Sequence, residues 1–316
     1  MLDDLLASLL SPQTETLVIF QAILIIAALG HYLPLSINQL DIGIPGYMAV
    51  GAYSSSVLTI RFAAPFVLAI LTAGGLAAVV ALLVDSLAAR SNARGFAFAI
   101  ISIGSFEVIQ VALTNWKYVG GGLGMSGMPQ YTTPTIVLIV LVLAIVFLLT
   151  LNRSYIGRAM GAIRDDERAA EAMGIHVLRT KLFVFGCGAF LGGVSGALYA
   201  HYALYIEPGY FGFGRLIAIQ LPIVFGGLET FWGAIAGMIV LGLLPEYLRG
   251  FQDYRLIFTA LATIAIILIK PNGLVSRATV GWIEDQAIRS SRWVWSRARG
   301  RRRVGEPAVR TGAGGA

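Results

Sequence analysis

The sequence predicts an all-α fold, a polytopic transmembrane helical bundle of about 8–10 spans with its C-terminus in the cytoplasm. Three observations carry that prediction. The 316 residues are 57% apolar and only 13% charged, against about 25% charged in soluble domains. So much apolar surface cannot be buried in one or two water-soluble cores at this length. Nine apolar runs follow one another along the chain, and the net charge of +6 sits at its end. Residues 271–316 hold nine Arg against three acids, whereas residues 1–270 hold fourteen basic and fourteen acidic residues. A neutral membrane body with a basic end is implied, and a uniformly basic nucleic-acid binder is excluded.

A hydrocarbon core of about 30 Å calls for about 20 apolar residues in helical form. Runs of that order occupy 16–36, 42–60, 64–88, 95–115, 133–151, 181–204, 214–227, 230–248 and 254–270. The second contains Pro45 with Gly43, Gly46 and Gly51, and the seventh is short, which sets the range of spans. The runs are too long for strands of a lipid-facing barrel, which alternate over about ten residues. Segment 152–181 carries Arg153, Arg158, Arg164, Arg168, Arg179 and Lys181, and the loop near 90 carries Arg90 and Arg94. Segment 116–132 carries only Lys117. With nine spans the basic loops and the basic tail share the cytoplasmic side, and the acidic N-terminus lies outside. A failure of Gly30–Tyr53 to cross would move the N-terminus inside. Met1-Leu2-Asp3-Asp4 lacks the positive start of a cleavable signal peptide, so the N-terminus reads as mature. The expected organisation is a transmembrane body over 1–275 and a basic, partly disordered cytoplasmic tail over 276–316.

Chemistry-bearing residues are few. Asp41, Asp85, Glu107 and Glu246 lie in or beside apolar runs, and Glu107 is the one clearly mid-span. A charge there costs on the order of 2.5–3.5 kcal/mol, so Glu107 is either a pathway residue or a structural carboxyl bonded to a neighbouring helix. Gly122, Gly124 and Gly127 match G-x-G-x-x-G, but without the strand and helix of a dinucleotide site. They read instead as a mobile external loop. No G-x-x-x-x-G-K-[ST] pattern occurs, His31, His176 and His201 are scattered without metal-ligand spacing, and no catalytic constellation is present. The single cysteine, Cys187, reads as a packed core thiol.

Two stretches, Asp41–Gly51 and Gly226–Gly237, interrupt apolar runs with Pro or Gly. Broken helices are tolerated in membranes where they line a cavity. This makes Asp41, Gly43, Gly46, Glu107, Gly226 and Gly227 candidate translocation-pathway residues, with close helix packing through small residues as the competing explanation. In the basic loop, Asp165 or Asp166 can cap a short helix, Glu167 suits its positive first turn, and Gly174 suits a left-handed end. Ala162, Ala169, Ala172 and Met173 fall on one stripe of a helix about three turns long. That small-faced helix is fit to dock in a partner's groove, or to rest on its own bundle.

Gly157-Arg158 through Gly174-Ile175 resembles the cytoplasmic coupling loop of ABC-importer permeases, and in particular of the branched-chain amino acid permeases of the LivM type. The likeness continues in Gly51-Ala52-Tyr53, Gly120–Pro129, Gly196-Ala197-Leu198-Tyr199, Phe225-Gly226-Gly227-Leu228 and Lys270-Pro271-Asn272-Gly273-Leu274. Arg168 stands where the general loop motif has Glu, and Leu35–Gly43 replaces a Gly-rich turn. The resemblance implies that Arg164, Asp165, Asp166, Glu167, Arg168, Ala169, Ala170, Met173 and Gly174 form an ATPase-coupling loop. It further implies a homologous second permease subunit, two ATPase subunits that use ATP, and a periplasmic solute-binding protein. This chain itself would hold no cofactor and no metal. The solute class implied is branched-chain or related hydrophobic amino acids, moved by alternating access across the bacterial inner membrane. An ion-coupled secondary carrier, acting without an ATPase, is the alternative class. The tail, with Trp293 and Trp295 among its arginines, reads as an orientation signal and anchor to membrane lipids, with no nucleic acid partner.

Overall fold

A computed structural model describes residues 12–90 and 96–247, with Leu261, Ile264, Leu268 and residues 273–275. Eight of the nine predicted runs form helices in it. They are α1 (Pro12–Ser36), α2 (Ile44–Phe62), α3 (Phe66–Arg90), α4 (Phe96–Asn115), α5 (Pro134–Arg153), α8 (Val177–Ala203), α9 (Phe213–Gly226) and α10 (Phe231–Tyr247). The ninth run and the basic tail lie outside the described residues, apart from the few positions named. Two short helices, α6 (Tyr155–Asp165) and α7 (Glu167–Ala172), occupy the basic loop. Among the described residues, six helices are long and apolar enough to cross a membrane. α2, with its glycines, serines and Arg61, is less apolar than these, and α10 is shorter.

Local signals place the helix ends. Pro45 occupies the first turn of α2, where its missing N–H costs nothing. Thr133 caps α5 by accepting from the Ile136 N–H at 3.4 Å, with Pro134 behind it. Pro34 lies in the last part of α1. It leaves the Gly30 carbonyl without its helical donor, and Gly188 of α8 packs directly on that carbonyl.

α8 is the hub of the bundle. Within its span 72% of residues are buried, against 22% in α5, which therefore lies at the periphery. The hub exists because α8 is lined by small residues on several faces. A Cβ at Gly51 of α2 would collide with the Gly193 backbone, one at Gly196 with the Met48 carbonyl, and one at Gly193 with the Ala73 carbonyl of α3. The backbones touch, as small-residue packing between membrane helices permits. Contacts fix the directions. α1 is antiparallel to α8, pairing Phe20 with Tyr199 and Ile23 with Ser195. α2 is parallel to α8, from Tyr47 beside Gly192 to Thr59 beside His201. α3 is antiparallel to it, from Phe66 at His201 to Leu82 at Gly186. α2 thus runs back against α1, and Gly30–Tyr53 contains a full reversal.

Several buried polar groups are satisfied between helices, as an apolar surrounding favours. The Ser195 hydroxyl donates to the Ile23 carbonyl at 2.8 Å, Thr132 to the Leu198 carbonyl at 3.0 Å, and Thr59 lies 2.9 Å from His201 Nε2. The glycine-rich segment after α4 is a built structure rather than a loose loop. Two 3₁₀ turns lead into β1 (Met125–Ser126), which pairs antiparallel with β2 (Tyr205–Ile206) beyond α8. Positive φ at Gly120, Gly121, Gly124 and Gly127 makes that path possible. Cys187 is half-buried and lines an apolar groove between α3, α5 and α8, so the expected core thiol is a groove-lining one.

Candidate functional site

The basic loop folds into two helices rather than one of three turns. Ser154 caps α6, accepting from the Gly157 N–H at 3.3 Å. Ala159, Met160 and Ile163 on one face of α6 are buried, which seats this helix on the bundle. The chain then extends at Asp166, where it breaks the helical path. Asp166, not Asp165, caps α7, accepting from the N–H groups of Arg168 at 2.8 Å and Ala169 at 3.0 Å. Those two amides, Ala169 first, hold the Asp166 carboxyl below its ordinary value. Asp165 is the last residue of α6 and is exposed. Arg164 is partly buried, with Nη1 lacking a hydrogen-bond partner among the described residues.

α7 presents two unlike faces. Ala170 is buried against the bundle, while Ala169, Ala172 and Met173 are exposed, Met173 at 84%. Glu167 pairs with Lys181 of α8 at 2.9 Å, tying the short helix to the hub. Arg168 is exposed. Gly174 takes φ +84°, and the Ile175 N–H returns to the Ala170 carbonyl at 3.1 Å, closing the helix as its sequence predicts. The outcome is an apolar, small-residue face held outward on a fixed mount.

The candidate pathway residues fall in separate places. Asp41 is buried, and its Oδ1 accepts the Gly43 N–H at 2.8 Å. Nearby the Tyr47 hydroxyl donates to Asp85 Oδ2 at 3.2 Å, and the Ile42 N–H donates to Ser102 of α4 at 2.8 Å. Asp85 is fully buried, with Oδ1 lacking a partner among the described residues. Gly46 packs against Phe106 of α4. Glu107, one residue on, points the other way and is exposed on the outer face of α4, beside exposed Gly104, Val108 and Val111. Glu246 lies in α10, and its side chain is outside the described residues.

Gly226 and Gly227 join α9 to α10. Gly226 packs on Gly233 and Gly237 across the hairpin, and Gly227, at φ +113°, receives Gly273 against its backbone. The Val275 N–H donates to the Gly226 carbonyl at 2.9 Å. Close packing thus accounts for these glycines and for Gly46 and Gly51. Neither of two apolar cavities, about 480 Å³ between α3, α5 and α8 and about 690 Å³ between α2, α3 and α4, is lined by a candidate pathway residue. Among the described residues no three His, Cys, Asp or Glu side chains are grouped to hold a metal. His31 is bonded to Gln220, and His201 to Thr59 and the Ala197 carbonyl.

One residue inside an apolar run went unremarked in the sequence. Arg215, in the first turn of α9, places its guanidinium carbon 3.7 Å above the Tyr210 ring, which stacks on Tyr199 at 4.0 Å. The isolated Arg within 214–227 was the available signal. Its aromatic partners come from other segments, which no local pattern reveals.

Helices long and apolar enough to cross a membrane, packed on a central one, define a multi-pass membrane protein. The sequence pattern of the branched-chain amino acid transport system permease components matches residues 13–269, and the chain belongs to that family. The high-affinity branched-chain amino acid transport system permease protein LivM of Escherichia coli K12 is 26% identical over 289 residues, covering 80% of this chain and 68% of the relative. LivH of the same organism is 27% identical over 186 residues, covering 58% and 60%. The probable permease protein LivH of Methanocaldococcus jannaschii is 31% identical over 147 residues, covering 43% and 45%. No solved structure matches the chain. The protein is therefore a multi-pass inner-membrane permease subunit of an ABC importer, not an enzyme, and its relatives indicate a permease pair.

Proposed function

We propose that this chain pairs with a homologous permease, receives branched-chain or related hydrophobic amino acids from a periplasmic binding protein, and is driven by two ATPase subunits. The names of its relatives support the solute class. The observation that carries the coupling reading is the exposed Ala169, Ala172 and Met173 face of α7, mounted by the Asp166 cap and the Glu167–Lys181 pair. Arg164, Asp165 and Arg168 flank this face, Ala170 seats it, and Gly174 ends it. ATPase closure displaces α7, and the displacement passes through Lys181 into α8, on which α1, α2 and α3 pack. The spans then rock as a unit, giving alternating access.

Residues 1–275 act as the permease body, and the basic tail 276–316 holds to the anionic inner leaflet. Asp41, Gly43, Gly46, Gly226 and Gly227 serve as tightly packed joints beside the pathway. Glu107 faces protein or water, because a carboxylate turned to lipid at mid-span is costly. A cysteine at Met173, in the assembled complex, should cross-link to an ATPase subunit with a short bifunctional reagent, whereas one at buried Ala170 should not. Absence of any cross-link from position 173 contradicts the coupling reading.

A further inference from the structure

Arg215 lies in a segment, Pro208–Gly226, apolar enough to span a membrane. An ionisable residue so placed is a functional candidate whose partner must be found. Among the described residues it has no ion-pair partner. The guanidinium lies over Tyr210 at 3.7 Å and 5.9 Å from the Tyr199 ring, with Phe211 edge-on to both tyrosines. Among the described residues its buried Nε has no hydrogen-bond partner and no carboxylate is ion-paired with it. The side chain is nonetheless partly exposed.

The aromatic stack holds the guanidinium through its face, one donor bonds the Tyr210 side chain, and donors including Nε are left over. Those donors form a planar fork that matches a carboxylate. Glu207, exposed, directly precedes the 3₁₀ turn Pro208–Phe211 that carries Tyr210, and accepts from the Tyr205 hydroxyl at 3.2 Å. It is not ion-paired with Arg215. One end of the bundle thus offers a fixed cation and a nearby anion that do not neutralise each other. That end is the far end of α8 from α7, since Tyr199 lies 22 positions along the helix from Val177, about 33 Å away.

We propose that Arg215, held by Tyr210 and Tyr199, is the carboxylate-binding residue for the solute at the mouth of the permease, with Glu207 facing the solute's ammonium group. The inference rests on the amino-acid reading above and adds the residues that recognise the zwitterion. It accounts for an arginine in an apolar span, for the orphan Nε, and for the rigid aromatic mount.

The test uses the whole transporter, both permeases with the ATPases, in proteoliposomes with binding protein and labelled L-leucine. Arg215→Met and Arg215→Lys are compared with the unaltered complex for assembly, basal ATP hydrolysis, affinity for the binding protein, and leucine uptake at saturating binding protein. Expected are normal assembly, basal hydrolysis and binding-protein affinity, with uptake lower by about tenfold or more for Arg215→Met and by less for Arg215→Lys. Unchanged uptake by Arg215→Met overturns the inference and leaves the amino-acid reading intact. Weakened affinity for the binding protein, loaded and empty alike, assigns the arginine to a protein carboxylate and overturns it. Loss of assembled complex in both variants marks a packing residue and overturns it too. An unaltered complex that takes up no leucine, isoleucine or valine overturns the amino-acid reading and this inference together.

Discussion

Asp166 acts as a hinge in the backbone and as a cap in its side chain. Extended at φ −154°, it ends α6, and its carboxylate then starts α7 by accepting two amides. The amides hold its carboxyl below the usual range, so its contribution to the folded loop is complete at neutral pH. The cap fades only as pH falls through that lowered value, below the ordinary aspartate range. Asp166→Ala should speed hydrogen exchange at the Arg168 and Ala169 amides several-fold at pH 7, while Asp166→Asn, also a good cap, should restore much of the protection. Equal exchange in all three would show that the cap does not hold α7. The sequence narrowed this cap to Asp165 or Asp166 but could not separate them, because both precede the Glu and helix formers that signal a start. Only the extended backbone at 166 decides.

Among helices, the apolar runs were legible to within a few residues, as 42–60 against Ile44–Phe62 shows. Length and apolarity suffice for membrane helices because backbone hydrogen bonds must close within each one. The break in the basic loop was less legible, since Ala162 and Ala169–Met173 share a stripe whether or not the helix is continuous. The central place of α8 was written in Gly188, Gly192, Gly193 and Gly196, spaced so that small faces recur at helical positions, but spacing alone does not say which helices answer them. The structure does, and the answer is α1, α2 and α3. Gly51→Ala should therefore destabilise the bundle by about 1–3 kcal/mol, since its Cβ meets the Gly193 backbone and neither helix can yield. Gly75→Ala, with nothing within 4 Å, should change stability by less than about 0.5 kcal/mol. Thermal unfolding of the two variants in detergent compares them directly, and equal midpoints would contradict the packing account.

Across the whole molecule, the alternating directions of α1, α2, α3 and α8 put α6 and α7 at one end of the hub and the Arg215 cluster at the other. On the proposed reading, such a layout lets one rigid helix carry movement at α7 to the Arg215 cluster. Membership of the permease family was readable from the order of weak motifs along the chain, although each is uninformative alone. The arginine cluster was not readable, because it joins Tyr199, Tyr210 and Arg215 from three elements. The central claim is that force enters through the outward face of α7. ATP-driven uptake of labelled leucine by the reconstituted transporter carrying Ala169→Glu and Ala172→Glu tests it most directly. Both residues are exposed, so membrane insertion and pairing with the second permease should be normal. An uncompensated charge in the docking surface should lower uptake by about tenfold or more, and uptake equal to that of the unaltered transporter would contradict the account.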